Sequence, residues 1–203
     1  MLSSLFGKKR ERVPIFPLQT VLFPGGLLPL RIFEVRYIDM ARACLREGTP
    51  FGVCLIREGE EVGTPAVPEP VGCLARVADC DVEEAGILKV RAEGGERFRI
   101  LSSEVSKQGL LVGEIERLAP EPDDAETPGL AQCADLLRKM IAGIGEERFV
   151  APFRYDDATW VGFRLAEILP LRPDVKQKLL EVTDASLRLG LLHRFLRQQK
   201  LIE

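Results

Sequence analysis

The period of the apolar residues changes once along the chain, near residue 120, and this change restricts the possible folds more than any other feature. Before it, short runs alternate between apolar and polar side chains, as in residues 87–92 and 97–100, which is the pattern of half-buried strands. After it, apolar residues recur every three or four positions, which is the period of amphipathic helices. The sequence therefore predicts an α+β protein with a β-rich half followed by a helical half.

The segment between the two halves, APEPDDAETPG, combines prolines with acidic residues and has no apolar periodicity. A composition of this kind is typical of a linker. We therefore expect four parts: a flexible tail at residues 1–12, a β-rich lobe at 13–118, a linker at 119–129 and a helical lobe at 130–203.

Cap signals divide the predicted helices. In the β-rich lobe, one embedded helix carries Tyr37 on its apolar face, and Gly48 stands where a C-terminal cap belongs. In the helical lobe an apolar stripe begins at Leu130, and three further helices follow it. Their start signals are the pair Asp156-Asp157, then Pro173, and then either Thr183 or Asp184.

Prolines and glycines interrupt the most apolar part of the chain, residues 13–32. Proline cannot donate a backbone hydrogen bond, so residues 13–18 (VPIFPL) are predicted to form an edge strand. The sequence Pro24-Gly25-Gly26 is predicted to reverse the chain, because proline fixes φ and glycine accepts positive φ. The prolines and glycines are therefore interpreted as architecture.

The residues that follow this segment, 33–37 (FEVRY), are predicted to start the embedded helix. We expect Phe33 to be a core residue whose truncation would destabilise the fold. Glu34 in the first turn would complement the helix dipole, and Arg36 is placed to pair with a neighbouring acid. The sequence leaves open whether Glu34, Arg36 and Tyr37 are structural or take part in binding.

No pattern in the sequence predicts catalysis, a cofactor or a metal ion. Neither a phosphate-binding G-x-x-x-x-G-K-[ST] loop nor a dinucleotide-binding GxGxxG turn is present, and His193 is the single histidine. The five cysteines include no CxxC pair, so they do not have the spacing of zinc ligands. Acidic pairs such as Asp123-Asp124 are interpreted as solvated loop charge. The protein is therefore expected to be neither an enzyme nor a metalloprotein.

Charge and cysteine usage indicate the environment and partners. The net charge is −3, which argues against a nucleic-acid partner, whose binding needs basic residues. The strand residues Lys89, Arg91, Arg97 and Arg99 have no aromatic residues among them and are assigned to a solvent face. Free cysteines within apolar runs favour a reducing, cytoplasmic location. The longest apolar run, residues 21–30, is too short to span a membrane.

Several short motifs together resemble the substrate-binding domain found at the N-terminus of Lon proteases. The resemblance spans roughly residues 13–199 and is specific in combination rather than in any single motif. The motifs are VPIFPL at 13–18, LFPG at 22–25, IFEVRY at 32–37, GCLARV at 72–77, GERFRI at 95–100, LAEILP at 165–170 and KLLE at 178–181.

The resemblance implies a PUA-like β pseudo-barrel followed by a helical lobe, free-standing and without the ATPase and protease domains of a Lon protease. It implies a non-catalytic module that recognises an unfolded polypeptide or a protein partner. The expected site is a cleft between the lobes, with Trp160 either lining it or buried in the core. RNA binding is the alternative, because other PUA-like barrels bind RNA, and a hydrolase lacks a plausible triad.

Overall fold

The structure, a computed structural model, describes residues 10–83, 86–121 and 127–203. Residues 1–9 of the predicted tail and the pair Asp123-Asp124 lie outside the described residues. The strands are β1 Glu11–Leu18, β2 Leu27–Ile32, β3 Phe51–Glu58, β4 Val67–Pro68, β5 Val71–Val82, β6 Leu88–Val105 and β7 Leu111–Arg117. The helices are α1 Val35–Glu47, α2 Leu130–Ile144, α3 Ala158–Ile168, α4 Pro173–Glu181 and α5 Ala185–Gln198, with a short 3-10 helix at Glu146–Arg148.

The strands close into a barrel, as the resemblance implied. Neighbouring strands follow the order β1-β7-β6-β5-β3, and β1 pairs in parallel with β3 to complete the circle. Strand β2 lies outside this circle and pairs antiparallel with the first part of β6, while β4 pairs with the end of β3. Helix α1 is embedded between β2 and β3 in the chain.

The prediction of an edge strand at residues 13–18 is wrong. Strand β1 begins at Glu11, two residues inside the segment assigned to the tail. Its first half pairs with β7 and its second half with β3, so the strand has a partner at every position from Glu11 to Leu18. Each half leaves one side without a strand partner, which is how a strand that contains Pro14 and Pro17 fits into the barrel.

The helices begin and end close to the predicted positions. Gly48 adopts φ +66° after α1 and donates its N–H to the Cys44 carbonyl, as a glycine C-cap does. Asp157 accepts the Trp160 N–H at 3.0 Å at the start of α3. Asp184 rather than Thr183 caps α5, because its carboxylate accepts the Leu187 N–H at 2.8 Å.

The helical lobe and the barrel share a hydrophobic core. The cluster that contains the inner faces of α2, α3 and α5 also contains Val21, Phe23, Leu55 and Val71 from the β-rich part. A second cluster packs α1 against the sheet, and a third fills the barrel around Phe98. The helices therefore pack directly on the barrel.

The Pro24-Gly25-Gly26 segment forms the predicted reversal. Gly25 adopts φ +67°, and its N–H donates to the Gly94 carbonyl at 2.7 Å, while Gly94 N–H donates to the Gly26 carbonyl at 2.8 Å. A Cβ at Gly94 would lie 2.2 Å from the carbonyl oxygen of Phe23. The glycines thus allow two backbone segments to approach closer than side chains would permit.

Candidate functional site

A groove of about 260 Å³ runs along β2 and is called here the β2 groove. Residues 28–34 line it, together with Glu61 and Val62 from the loop after β3. Phe16 and Tyr37 also line it, and their rings stack with centroids 4.1 Å apart. The lining therefore includes two mostly buried aromatic rings, one from β1 and one from α1.

Two large apolar side chains at the β2 groove are exposed to solvent. Phe33 is 57% exposed and Val62 is 56% exposed. The prediction that Phe33 is a core residue is wrong: Ile32, at the end of β2, points into the core, so the following residue faces the other way. Phe33 is thus available for contact with a ligand.

Two carboxylates stand at the β2 groove. Glu34 immediately precedes α1 at the N-cap position rather than in the first turn, and its side chain makes no capping bond to the helix. Its Oε2 lies 2.9 Å from Nη2 of Arg36. Glu61 accepts the backbone N–H of Gln19. Both carboxylates are therefore held in place by neighbouring groups.

Arg36 contacts Glu34 and Tyr37, two residues that line the β2 groove. Its side chain is largely buried, donates to the Gly109 carbonyl at 2.9 Å and lies 4.7 Å from the centroid of the Tyr37 ring. Arg36 thus ties the turn between β6 and β7 to α1, and its predicted pairing with an acid is confirmed by the contact with Glu34. Burial raises the pKa of the Tyr37 hydroxyl.

Trp160 lies in a different place. It lines a depression of about 250 Å³ between the barrel and the helices, together with Pro24, Pro152 and Phe163. Only 9% of Trp160 is exposed, and its ring packs against Phe153 and Tyr155. The lining of this interlobe depression shares no residue with that of the β2 groove, so the four residues singled out in the sequence belong to two separate places.

Buried arginines join the two lobes, and sequence reasoning missed them. Arg97 was assigned to a solvent face, but its side chain is buried and donates to the carbonyls of Leu180 and Val182. Glu121, in the predicted linker, is 2% exposed and pairs with Arg97 and Arg188. Strand alternation could not reveal this, because the partners of Arg97 come from distant parts of the chain.

Arg164 holds the reversal at Pro24 and Gly25. Its two terminal nitrogens donate to the carbonyls of these residues at 2.7 and 2.6 Å, and Nη1 lies 2.7 Å from Glu167. One sequence signal could have identified this residue: α3 reads ATWVGFRLAEI, a helix apolar on nearly all sides with an arginine at its centre. An ionised residue in such a position requires partners.

The described residues contain no arrangement that would hold a metal ion or activate a nucleophile. No group of three or more His, Cys, Asp and Glu side chains there could bind a metal. His193 Nε2 lies 2.5 Å from Oε1 of Gln132, an amide that is neither acid nor nucleophile. Burial raises the pKa of the Cys73 thiol to about 12 and that of Cys133 to about 11. None of the described helices is long and apolar enough to cross a membrane.

A closed barrel joined to a helical lobe through a shared core, with a groove along β2, defines the class of fold. The chain belongs to the family of the ATP-dependent protease La (LON) substrate-binding domain, whose model matches residues 12–198. The resemblance found in the sequence is thereby confirmed.

Known structures and curated relatives agree with this membership. The Lon N-terminal domain protein from Xanthomonas campestris is 40% identical, with a TM-score of 0.74 over 90% of this chain and 96% of that one. The N-terminal domain of the Mycobacterium avium complex Lon protease has a TM-score of 0.67 over 90% of this chain and 96% of that one, and at 20% identity it shows the fold alone.

Among curated proteins, the Lon protease of Anaeromyxobacter dehalogenans is 29% identical over 93% of this chain and 23% of its own length. Protein cereblon of Danio rerio is 28% identical over 55% of this chain and 27% of its own length. This chain thus spans about a quarter of the length of the curated relatives it matches.

Proposed function

We propose that this chain is a non-catalytic module that binds extended segments of unfolded polypeptide. We further propose that it acts in the cytoplasm as an adaptor in protein quality control, without nucleotide. Membership of a substrate-binding domain family supports a role in substrate recognition. The proteolytic activity implied by the names of the longer relatives is not assigned to this chain.

The observation that carries the proposal is the exposed apolar lining of the β2 groove. Phe33 and Val62 present large apolar side chains to solvent beside the stacked rings of Phe16 and Tyr37. Exposed apolar surface in a concave site favours binding of apolar side chains. An extended segment of an unfolded chain supplies such side chains, and a folded protein buries most of them.

The carboxylates of the β2 groove define which segments should bind best. Glu34 and Glu61 both line it, and the guanidinium of Arg31, which also lines it, is engaged with Glu83 at 3.0 Å. Glu34 is likewise paired with Arg36, so the local negative charge comes mainly from Glu61. We propose that the preferred segments combine an apolar or aromatic residue with a nearby lysine or arginine.

The interlobe depression is less suited to this function. The sequence favoured a cleft between the lobes, with Trp160 as the best candidate to line it. Trp160 and Phe163, its aromatic residues, are 9% and 3% exposed, and none of its lining residues is a large apolar side chain as exposed as Phe33 or Val62. The β2 groove is therefore the primary site of the proposal.

RNA binding is not favoured. The matched family is described as a substrate-binding domain of a protease. Of the basic strand residues considered in the sequence, Lys89 pairs with Glu83, Arg91 contacts Asp79 at 3.6 Å, and Arg97 is buried. These contacts neutralise much of the positive charge that a phosphate backbone would need.

Fluorescence anisotropy tests the proposal with three labelled probes: a reduced, unfolded casein, a folded control protein and a single-stranded RNA. The unfolded chain should bind reversibly, and the folded control should not. The variant Phe33→Ala should weaken binding about 5- to 30-fold, as truncation of an aromatic anchor does. Leu187→Ala, at an exposed position of α5, is the matched control and should leave the affinity unchanged.

Thermal unfolding separates binding from folding in this test. Phe33→Ala should lower the free energy of unfolding by less than about 1 kcal/mol, because the side chain is more than half exposed. Binding of RNA in preference to unfolded casein would contradict the proposal. Equal casein affinity of Phe33→Ala and wild type would show that the β2 groove is not the site.

A further inference from the structure

The end of β6, residues 101–105 (LSSEV), has an open strand edge. The pairing of β5 with β6 stops at Val71 and Arg99, and the Ile100 N–H donates to the Pro70 carbonyl. Beyond this point the described residues provide β6 with a partner on one side only, which is β7. All five residues of the segment are exposed to solvent.

The register shows which backbone groups point away from β7. Ser106 N–H donates to the Leu110 carbonyl at 2.8 Å and closes the hairpin. In an antiparallel ladder, residue pairs alternate between bonded and non-bonded, so Glu104 and Ser102 bond to β7. Ser103 and Val105 fall in the non-bonded pairs. Their N–H and C=O groups therefore point outward from the open edge.

Prolines protect the other strand edges in the described part of the chain. Strand β1 has Pro14 in the half that lacks β3 as a partner, and β4 ends in Pro68. Edge strand β2 contains Pro29. Proline removes a donor and hinders the addition of another strand.

The far end of β5 is protected in another way. Its Cys80 and Val82 N–H groups donate to the carboxylates of Asp79 and Asp81, at 3.0 and 2.8 Å. These donors are therefore occupied. Residues 101–105 include no proline, no basic residue and a single acid, so among the described strand edges this one lacks the prolines and occupied donors of the others, and its irregularity is the register shift between Ile100 and Ser102.

We propose that two copies of this chain associate through residues 101–105, which pair antiparallel about a two-fold axis at Ser103. In this register Leu101 of one copy lies opposite Val105 of the other. These are exposed apolar residues, 44% and 55% accessible, and the pairing would bury them against each other. The segment is thus complementary to itself.

The charges also fit the two-fold arrangement. Glu104, which pairs with Arg12 on its own chain, lies opposite Ser102 of the second copy and not opposite Glu104. No two like charges face each other directly across the dimer. Ser103 meets its own counterpart in a pair that exchanges both backbone hydrogen bonds. A five-residue contact of this kind makes a small interface, so the dimer is weak and forms at high protein concentration.

Sedimentation velocity over about 10–500 µM protein tests the association, since weak dimers dissociate in this range. Wild type should convert from monomer to dimer as the concentration rises. Ser103→Pro removes only the outward N–H and should keep the protein monomeric. A wild type that remains monomeric throughout, or a Ser103→Pro variant that still dimerises like wild type, would overturn the proposal.

Disulfide trapping tests the register without depending on the proline variant. In a Cys80→Ser background, Ser103→Cys should cross-link on mild oxidation, because the bonded pair at the two-fold axis has its Cα atoms about 5.5 Å apart, within disulfide range. Ser102→Cys is the matched control: it lies opposite Glu104 of the second copy and should not cross-link. Equal cross-linking of the two variants would exclude the proposed register.

Discussion

Arg164 makes a contact between the lobes that a single substitution can test. The residue lies on α3 in the helical lobe, its side chain is 1% exposed, and it donates to the carbonyls of Pro24 and Gly25 in the β-rich lobe. The variant Arg164→Leu keeps apolar volume in the helix but removes both donors. It leaves two carbonyls and the Glu167 carboxylate without their guanidinium partner.

The expected loss follows from these contacts. Removing one partner of a buried charge pair costs about 3–5 kcal/mol, because the groups left behind stay desolvated. Hydrogen bonds from a charged donor contribute about 1.5–3 kcal/mol each, which gives a similar total for two. For a protein of this size, 3–5 kcal/mol corresponds to a decrease of about 6–20 °C in Tm. Arg164→Lys, which keeps the charge but loses the two-pronged geometry, should fall between Arg164→Leu and wild type.

Differential scanning calorimetry and urea titration measure these differences. Arg46→Leu is the matched control, because Arg46 is a helical arginine that is 71% exposed and pairs with its neighbour Glu47. Such surface pairs contribute about 0–1 kcal/mol, so the control should stay close to wild type. If Arg164→Leu proves no less stable than Arg46→Leu, the contact does not stabilise the junction of the lobes and the reasoning fails.

Two further predictions concern local packing and thiol reactivity. Gly94→Ala should destabilise the protein by about 1–3 kcal/mol or more, because the added Cβ would clash with the Phe23 carbonyl. Gly143→Ala, in open space on α2, should instead stabilise it by up to about 1 kcal/mol. Denaturant titration measures both changes, and equal effects would refute the assigned contact. Iodoacetamide at about pH 8 should modify partly exposed Cys80 before buried Cys73, whose pKa is raised to about 12. Mass spectrometry of the peptides measures the order of modification, and modification of Cys73 first would contradict the prediction.

The sequence predicted the elements with strong local signals. The helix starts at Asp157 and Asp184 and the helix end at Gly48 follow from side-chain and backbone chemistry within a few residues. The reversal at Pro24-Gly25-Gly26 is local in the same sense. Such features were predicted correctly because the residues that determine them are neighbours in the chain.

Barrel closure could not be predicted in this way. Residues 13–18 contain two prolines, which favoured an edge strand. The structure divides β1 between β7 and β3, so each half uses one side of the strand. This arrangement depends on pairing with residues about 40 and about 100 positions away, and no local pattern encodes it. The two prolines correctly indicated that β1 has positions without a strand partner on one side. They did not indicate that two different strands, β7 and β3, would each pair with half of β1.

The candidate site was predicted only in part. Glu34 and Tyr37 line the β2 groove, as the binding interpretation of these residues requires, and Arg36 is not in its lining but contacts both of them. Phe33 was predicted to lie in the core, but it is exposed. Whether an apolar residue at the junction of a strand and a helix faces inward depends on where the strand ends, and strand ends are the least certain part of a sequence prediction.

Glu121 shows why the two lobes are not independent units, although the sequence separates them by a linker. The acidic composition of residues 119–129 predicted solvated charge, yet the Glu121 carboxylate is buried between Arg97 of the barrel and Arg188 of α5. Without it, two buried guanidinium groups would repel each other in a poorly solvated site. Glu121 therefore supplies the charge that balances the two arginines where the barrel and the helices share one core, and the β2 groove, the proposed binding site, is lined by other residues.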